Sequence, residues 1–159
     1  MSAPLAVSFY DVVLFVHVAS VVVAFGVTFA YPHVLPWLQR NHPRAMATAH
    51  EVQSLIGSRI IGPFATLALL SGIYLAADRD LFSETWVTIP LTILIILLIA
   101  GPAFFVPRER ELARIARRDV DADGALSAEY AAKARILALG GALSALLVLI
   151  ALFLMVVKP

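Results

Sequence analysis

The chain has 159 residues, 61% of them hydrophobic, a formal net charge of +1 and no cysteine. A composition of this kind predicts one compact unit over residues 1–159 without disulfides or a thiolate metal site, and its near-neutral balance argues against nucleic-acid binding. The apolar residues come in runs long enough to cross a bilayer, so an all-α, polytopic membrane protein in contact with lipid is expected.

The first run, from Leu5 to Ala30, reads LAVSFYDVVLFVHVASVVVAFGVTFA. At 1.5 Å per helical residue it exceeds a hydrocarbon core of roughly 30 Å, which predicts a span over about 5–30. Met1 to Tyr10 carries no Lys or Arg, unlike a secretory leader, so this helix is expected to be retained. His17 sits in its middle. Tyr10, Ser20, Val21, Ala24, Thr28 and Tyr31 fall near His17 on the helical wheel, whereas Phe15, Val22, Val23 and Phe29 lie well off that face. An imidazole turned to acyl chains would have no partners, so the stripe should face other helices; Asp11, near the helix start, should reach headgroup water.

The stretch YPHVLPWLQRNHPR follows, with Tyr31 and Trp37 suited to an aromatic belt and Arg40 and Arg44 to a cytoplasmic face. Asn41 is the expected start of the next helix, which begins with mixed composition and crosses the membrane over about 58–77, with Pro63 as a kink. Along it Ser58, Gly62, Ala65, Thr66 and Leu69 share one side, where small residues allow close helix contact. DRDLFSETW, from Asp78 to Trp86, is a short acidic connection. The third span covers about 87–106, with Pro90 tolerated in its first turn and Pro102 loosening its last. Arg108, Arg110, Arg114, Arg117, Arg118, Lys133 and Arg135 form the densest positive charge, and the last span runs over about 136–157. Counting Lys and Arg in short loops puts the two basic connections inside, so the prediction is a four-helix transmembrane bundle with both termini outside.

A neutral imidazole at mid-bilayer leaves one ring nitrogen free, and His17 is open to three readings: a structural residue bonded to a neighbouring helix, a haem or porphyrin ligand, or a proton-relay site. No other histidine lies at its depth, so a haem there would have a non-histidine or vacant opposite side. His33, His42, His50 and Glu51 stand on the basic side without a compact metal-ligand spacing and read as solvated interfacial residues, His50 having the best claim to a role. DVDADGALSAEY begins like a calcium loop with Asp119, Asp121, Asp123 and Gly124, but holds Tyr130 where a bidentate Glu belongs, with Glu129 one place early. A turn into the last helix, capped by Ser127, is the expectation. The arginine-rich stretch reads as an orientation signal in contact with headgroups.

Four segments taken together, FVHVASVVVAFGVTFAYPHV, RIIGPFATLALLSGIYLA, the Trp86 start of the third span and the closing LFLMVVKP, resemble a group of small four-helix bacterial integral membrane proteins of unknown function. That group is distantly similar to the HemJ-type protoporphyrinogen oxidases and the CopD-like copper-resistance membrane domains. The resemblance implies a bacterial cytoplasmic (inner) membrane location, and it implies haem association for His17, which corresponds to the first-helix histidine of the HemJ-type enzymes. Those enzymes carry a functionally important lysine about four residues after a Trp in the third helix, where this chain has Pro90, and the third span has no other basic residue. For copper the chain offers only Met1, Met46 and Met155 as soft ligands.

The leading expectation is a protein that binds haem b or a porphyrin, with a redox role. His17 is then the axial metal ligand, and Ser20, Ala24, Thr28, Ser58, Gly62 and Thr66 line the pocket. The alternative is a non-catalytic membrane subunit or assembly factor that holds a membrane protein partner, or a second copy of itself, through its helix faces and basic loop. A small transporter built from several copies has less to stand on, because no helix carries paired intramembrane charges.

Overall fold

A helix in hydrocarbon must satisfy its backbone internally, and each predicted span does so and then continues past the apolar run. In the computed structural model, which describes residues 7–159 apart from the side chain of Asp123, four long rods are each apolar and long enough to cross a membrane. Leu5 and Ala6, the predicted start of the first span, lie outside the described residues. The first rod joins α1 (Phe9–Gly26) to α2 (Tyr31–Asn41) through a 3-10 turn at Val27–Phe29. The second joins α3 (Met46–Ile56) to α4 (Gly62–Asp78), the third α5 (Thr85–Ala100) to α6 (Val106–Asp123), and the fourth is α7 (Ala128–Val157) alone.

The two interior joints are π-helical turns, at Gly57–Ile61 and Gly101–Phe105. Proline explains both. Pro63 and Pro102 lack the N–H that would bond four residues back, and a local widening of the helix absorbs the missing bond at Pro63, where a kink was expected. The prolines of YPHVLPWLQRN do not stop a helix either: Pro32 occupies the first turn of α2, and Pro36 stands inside it. Asn41 ends α2 instead of starting the next helix, its Nδ2 donating to the Trp37 carbonyl at 2.7 Å.

Against α1 lies α4, which also contacts α5, and α5 in turn packs on α7. At one end of the bundle stand the start of α1, the turn at Leu81–Ser83 and Lys158; at the other, α2, α3, α6 and the start of α7 gather the arginines. Asp11 is engaged at the first of these ends, where Ser8 and Asp11 form a reciprocal cap on α1, with Asp11 N–H to Ser8 Oγ at 3.2 Å and Ser8 N–H to Asp11 Oδ2 at 3.0 Å.

The third rod has 38 residues, about 57 Å at helical rise, so it outruns the bilayer by nearly half its length. What lies beyond is a small water-facing bundle with its own core: Met46, Ala47, Leu112, Ile115, Ala116, Tyr130 and Leu137 pack together. The contrast with the spans follows from the solvent. Phe15 and Phe153 are 72% and 61% exposed because lipid tails accept them, whereas Met46 and Tyr130, at 1% and 0%, are driven inward by water.

The stretch read as a possible calcium loop serves this end as a clasp. α6 runs on to Asp123, and Gly124 turns the chain at a φ of 70° that suits glycine. Buried Asp119 accepts from Ser127 N–H at 2.9 Å and from Arg118 Nη2 at 2.7 Å, while Ser127 Oγ caps α7 by accepting from Tyr130 N–H at 3.2 Å.

Candidate functional site

His17 points inward, into the seam between α1 and α4. Its Nδ1 lies 2.9 Å from the Ala68 carbonyl oxygen and 3.3 Å from Ser71 Oγ. A carbonyl can only accept, so Nδ1 carries the proton and donates it, and Nε2 keeps its lone pair. The ring rests on Gly72, where even a single methyl would come within 2.9 Å of His17 Cε1. Glycine is required there for the approach itself.

Nε2 has no hydrogen-bond partner among the described residues, and the His17 ring forms part of the wall of a cavity of about 370 Å³. Leu14, Val18, Val21 and Phe25 continue that wall along α1; Gly72 and Ile73 come from α4, Pro90 and Leu94 from α5, and Ala151 and Met155 from α7. Apolar side chains dominate the lining. Toward the end with the acidic loop the cavity reaches Tyr10, Trp86 and Lys158, the Lys158 ammonium lying 5.0 Å from the Trp86 ring centre and Arg79 stacking on Tyr10 at 4.2 Å.

None of the six residues expected to line a pocket with His17 lines this cavity. Ser20 and Ala24 are buried, among the small residues of α1 on the helix that packs against α4, so that small size there brings the helices together and leaves no room. Thr28, Ser58 and Thr66 turn their hydroxyls to their own backbone, on the carbonyls of Phe25, Ser54 and Gly62. Gly62 follows the π turn and lies close to the Gly57 carbonyl.

A family model described as a predicted integral membrane protein, DUF2269, matches residues 11–159. The chain belongs to that family. No curated protein and no solved structure matches it.

The protein also holds a polar cluster at its basic end. His50 is buried in α3, not solvated as its sequence context suggested, and its two ring nitrogens lie 2.8 Å from Gln53 Oε1 and 2.8 Å from Tyr130 Oη. Both nitrogens are thereby satisfied: Nδ1–H donates to the Gln53 carbonyl oxygen and Nε2 accepts from the Tyr130 hydroxyl. His33 and His42 are exposed, and among the described residues no group of His, Asp or Glu comes together in a way that could hold a metal ion.

Glu109 is the residue that sequence reasoning missed. It stands three residues past the third apolar span, in the first turn of α6, and is 6% exposed. Its Oε2 is enclosed without a hydrogen-bond partner, and so is the hydroxyl of Tyr31. Burial alone pushes its carboxyl up to about 7, from an ordinary 4.5. The first turn of α6 gives it no side-chain cap, and Pro107 in that turn has no N–H to offer.

Proposed function

We propose that this membrane protein holds a haem b or porphyrin beside His17, with a redox role for the bound group. The observation that carries the reading is the state of the imidazole: Nδ1–H is fixed on a backbone carbonyl at 2.9 Å while Nε2 is free on an apolar cavity wall. A metal-ligating histidine commonly donates its second nitrogen to such a carbonyl, which fixes both tautomer and ring plane. The cavity volume falls at the lower end of the range for cofactor pockets, roughly 300–1,000 Å³, and its lining is apolar as those pockets are.

In this reading the Nε2 of His17 would hold the group, Ser71 and Gly72 would keep the imidazole in place, and the aliphatic walls would exclude water. Lys158, at the cavity rim, pairs with an acidic edge of the ligand. A bound haem contributes one-electron redox chemistry. By the positive-inside rule the basic end faces the cytoplasm and both termini face out, in a bacterial cytoplasmic membrane.

The test is an absorption spectrum of protein purified from haem-supplemented cells, wild type beside His17→Ala. A Soret band in the wild type that disappears in His17→Ala, with helicity unchanged, is the expected result. A wild type without that band refutes the reading and leaves the second one, a subunit that packs a partner against its helix faces, for which copurification should survive His17→Ala.

A further inference from the structure

The junction between the apolar spans and the basic extension contains a second site that owes nothing to His17. There the two π turns, Gly57–Ile61 and Gly101–Phe105, contact each other. Each leaves a helix locally widened, a feature that recurs at functional positions. Glu109 projects from the turn of α6 that follows, and a methyl on Gly57 would sit 3.9 Å from its Oε2, so the wall on that side is backbone with no side chain. From α2 the Tyr31 phenol approaches within range of the carboxylate charge.

Two enclosed polar atoms, one on a carboxyl and one on a phenol near enough to feel its charge, are left without partners. A native interior rarely tolerates even one such atom, because an enclosed oxygen without a hydrogen bond forfeits about 1–3 kcal/mol. An unprotonated Glu109 would be more unfavourable still, as no Lys, Arg or His among the described residues forms an ion pair with it, and Arg59, on the neighbouring π turn, is exposed. On its own helix, Arg110 Nε donates to Ser54 Oγ at 3.3 Å and Arg108 stacks on Phe104 at 3.8 Å. On α7, Lys133 is held by Glu111 at 2.6 Å and Tyr130 by His50. Facing α6 from α3, Glu51 is paired with Arg117 and His50 is held between Gln53 and Tyr130, while Arg44 in the preceding turn is exposed.

We propose that Glu109 is a proton-binding site, loaded and emptied from the basic end of the bundle, with the Tyr31 phenol as a polar neighbour of the carboxyl. The ligand is the proton itself. On loading, a hydronium ion gives its proton to a Glu109 carboxylate oxygen, forming one O–H bond and releasing water; unloading reverses this with no other reactant. The upward displacement of the carboxyl by burial places the exchange near neutral pH instead of in the acid range.

The experiment is infrared difference spectroscopy of the full chain in liposomes across a pH titration, reading the carbonyl stretch of protonated carboxylic acid. The wild type should gain that band on acidification with a midpoint near 7. Glu109→Gln should lack it, and Tyr31→Phe should keep it with the midpoint raised, since the surroundings of the carboxyl lose a polar group. Should Glu109→Gln fail to fold, carbon-13 labelling of glutamate in the wild type still assigns the band, and the Tyr31→Phe displacement still locates it. A wild type with no such band, or one whose midpoint lies in the ordinary carboxylate range, overturns the proposal. So does a midpoint that moves with sodium concentration, which would make the ligand a metal cation.

Discussion

Gly72→Ala is the substitution in which the geometry around His17 is most exposed to measurement. The added methyl would lie 2.9 Å from His17 Cε1 and 3.2 Å from Nδ1. Carbon atoms in ordinary contact sit about 3.5–4.0 Å apart, so the ring must withdraw by about 0.6–1 Å. Its hydrogen bond to the Ala68 carbonyl, now 2.9 Å, would then stretch past the useful range. Overpacking of this kind costs about 1–3 kcal/mol, and the lost hydrogen bond about 0.5–1.5 kcal/mol. Against this stands the helix preference for alanine over glycine, about 0.5–1 kcal/mol. The net expectation is a loss of about 1–3 kcal/mol in the wild-type background. With His17→Ala the obstacle is gone, and the same substitution should become stabilising by about 0.5–1 kcal/mol. Unfolding in detergent micelles, followed by circular dichroism over the double-mutant cycle, reads the coupling directly. If the two substitutions prove additive within about 0.5 kcal/mol, the ring does not rest on Gly72 and the geometry proposed for His17 fails.

Three further expectations concern the other parts of the molecule. Tyr130→Phe leaves His50 Nε2 buried without its donor and should lower stability by about 1–3 kcal/mol in the same assay; no change would mean that the 2.8 Å bond is not formed. The folded state holds the Glu109 proton more tightly than the unfolded chain, so its contribution is fully present below about pH 4.5 and is lost as pH rises through about 7. That difference is about 3 kcal/mol, and Glu109→Gln should flatten the stability profile over this window; parallel profiles would contradict it. Because the chain has no cysteine, single replacements at Ser83 and Ala122, both exposed, can be labelled with an impermeant thiol reagent on intact cells. Labelling at Ser83 alone is expected from the charge asymmetry, and labelling at Ala122 would invert the topology.

The membrane part of the fold was legible because hydrocarbon imposes a simple demand, a long apolar run with its backbone satisfied internally, and the four runs announce themselves. The basic extension was harder to see. VPRERELARIARRDVDAD reads as a charged connection, yet Leu112, Ile115 and Ala116 recur at helical spacing and form the stripe that packs on Met46, Ala47 and Tyr130. That periodicity was available in the sequence and was masked by the arginines around it. His50 was singled out among the basic-side histidines, but nothing in the sequence could pair it with Tyr130, eighty residues away. Glu109 gave no signal at all: a glutamate among arginines looks solvated, and its burial is set by how α3 packs on α6 beside the two π turns.

The cavity that His17 borders is walled by other residues than its small-residue face, for a reason that applies to membrane bundles in general. Ser20, Ala24, Thr28, Ser58, Gly62 and Thr66 were expected to line a pocket with His17, and none of them borders the cavity that His17 does. In a bilayer no hydrophobic force draws helices together, so close backbone approach is what small residues are selected to permit, and Ser20 and Ala24 are buried where α1 meets α4. Space opens instead among large aliphatic side chains, Leu14, Val18, Val21 and Phe25, which line the cavity shared by α1, α4, α5 and α7. The same division accounts for the two ends of the molecule. Where lipid is the solvent, an apolar cavity carries little penalty and can be kept for a ligand; where water is the solvent, the basic end closes around Met46 and Tyr130 and concentrates its buried polar groups at the junction. The apolar cavity beside His17 and the buried carboxyl of Glu109 therefore lie at different depths of a single four-helix chain.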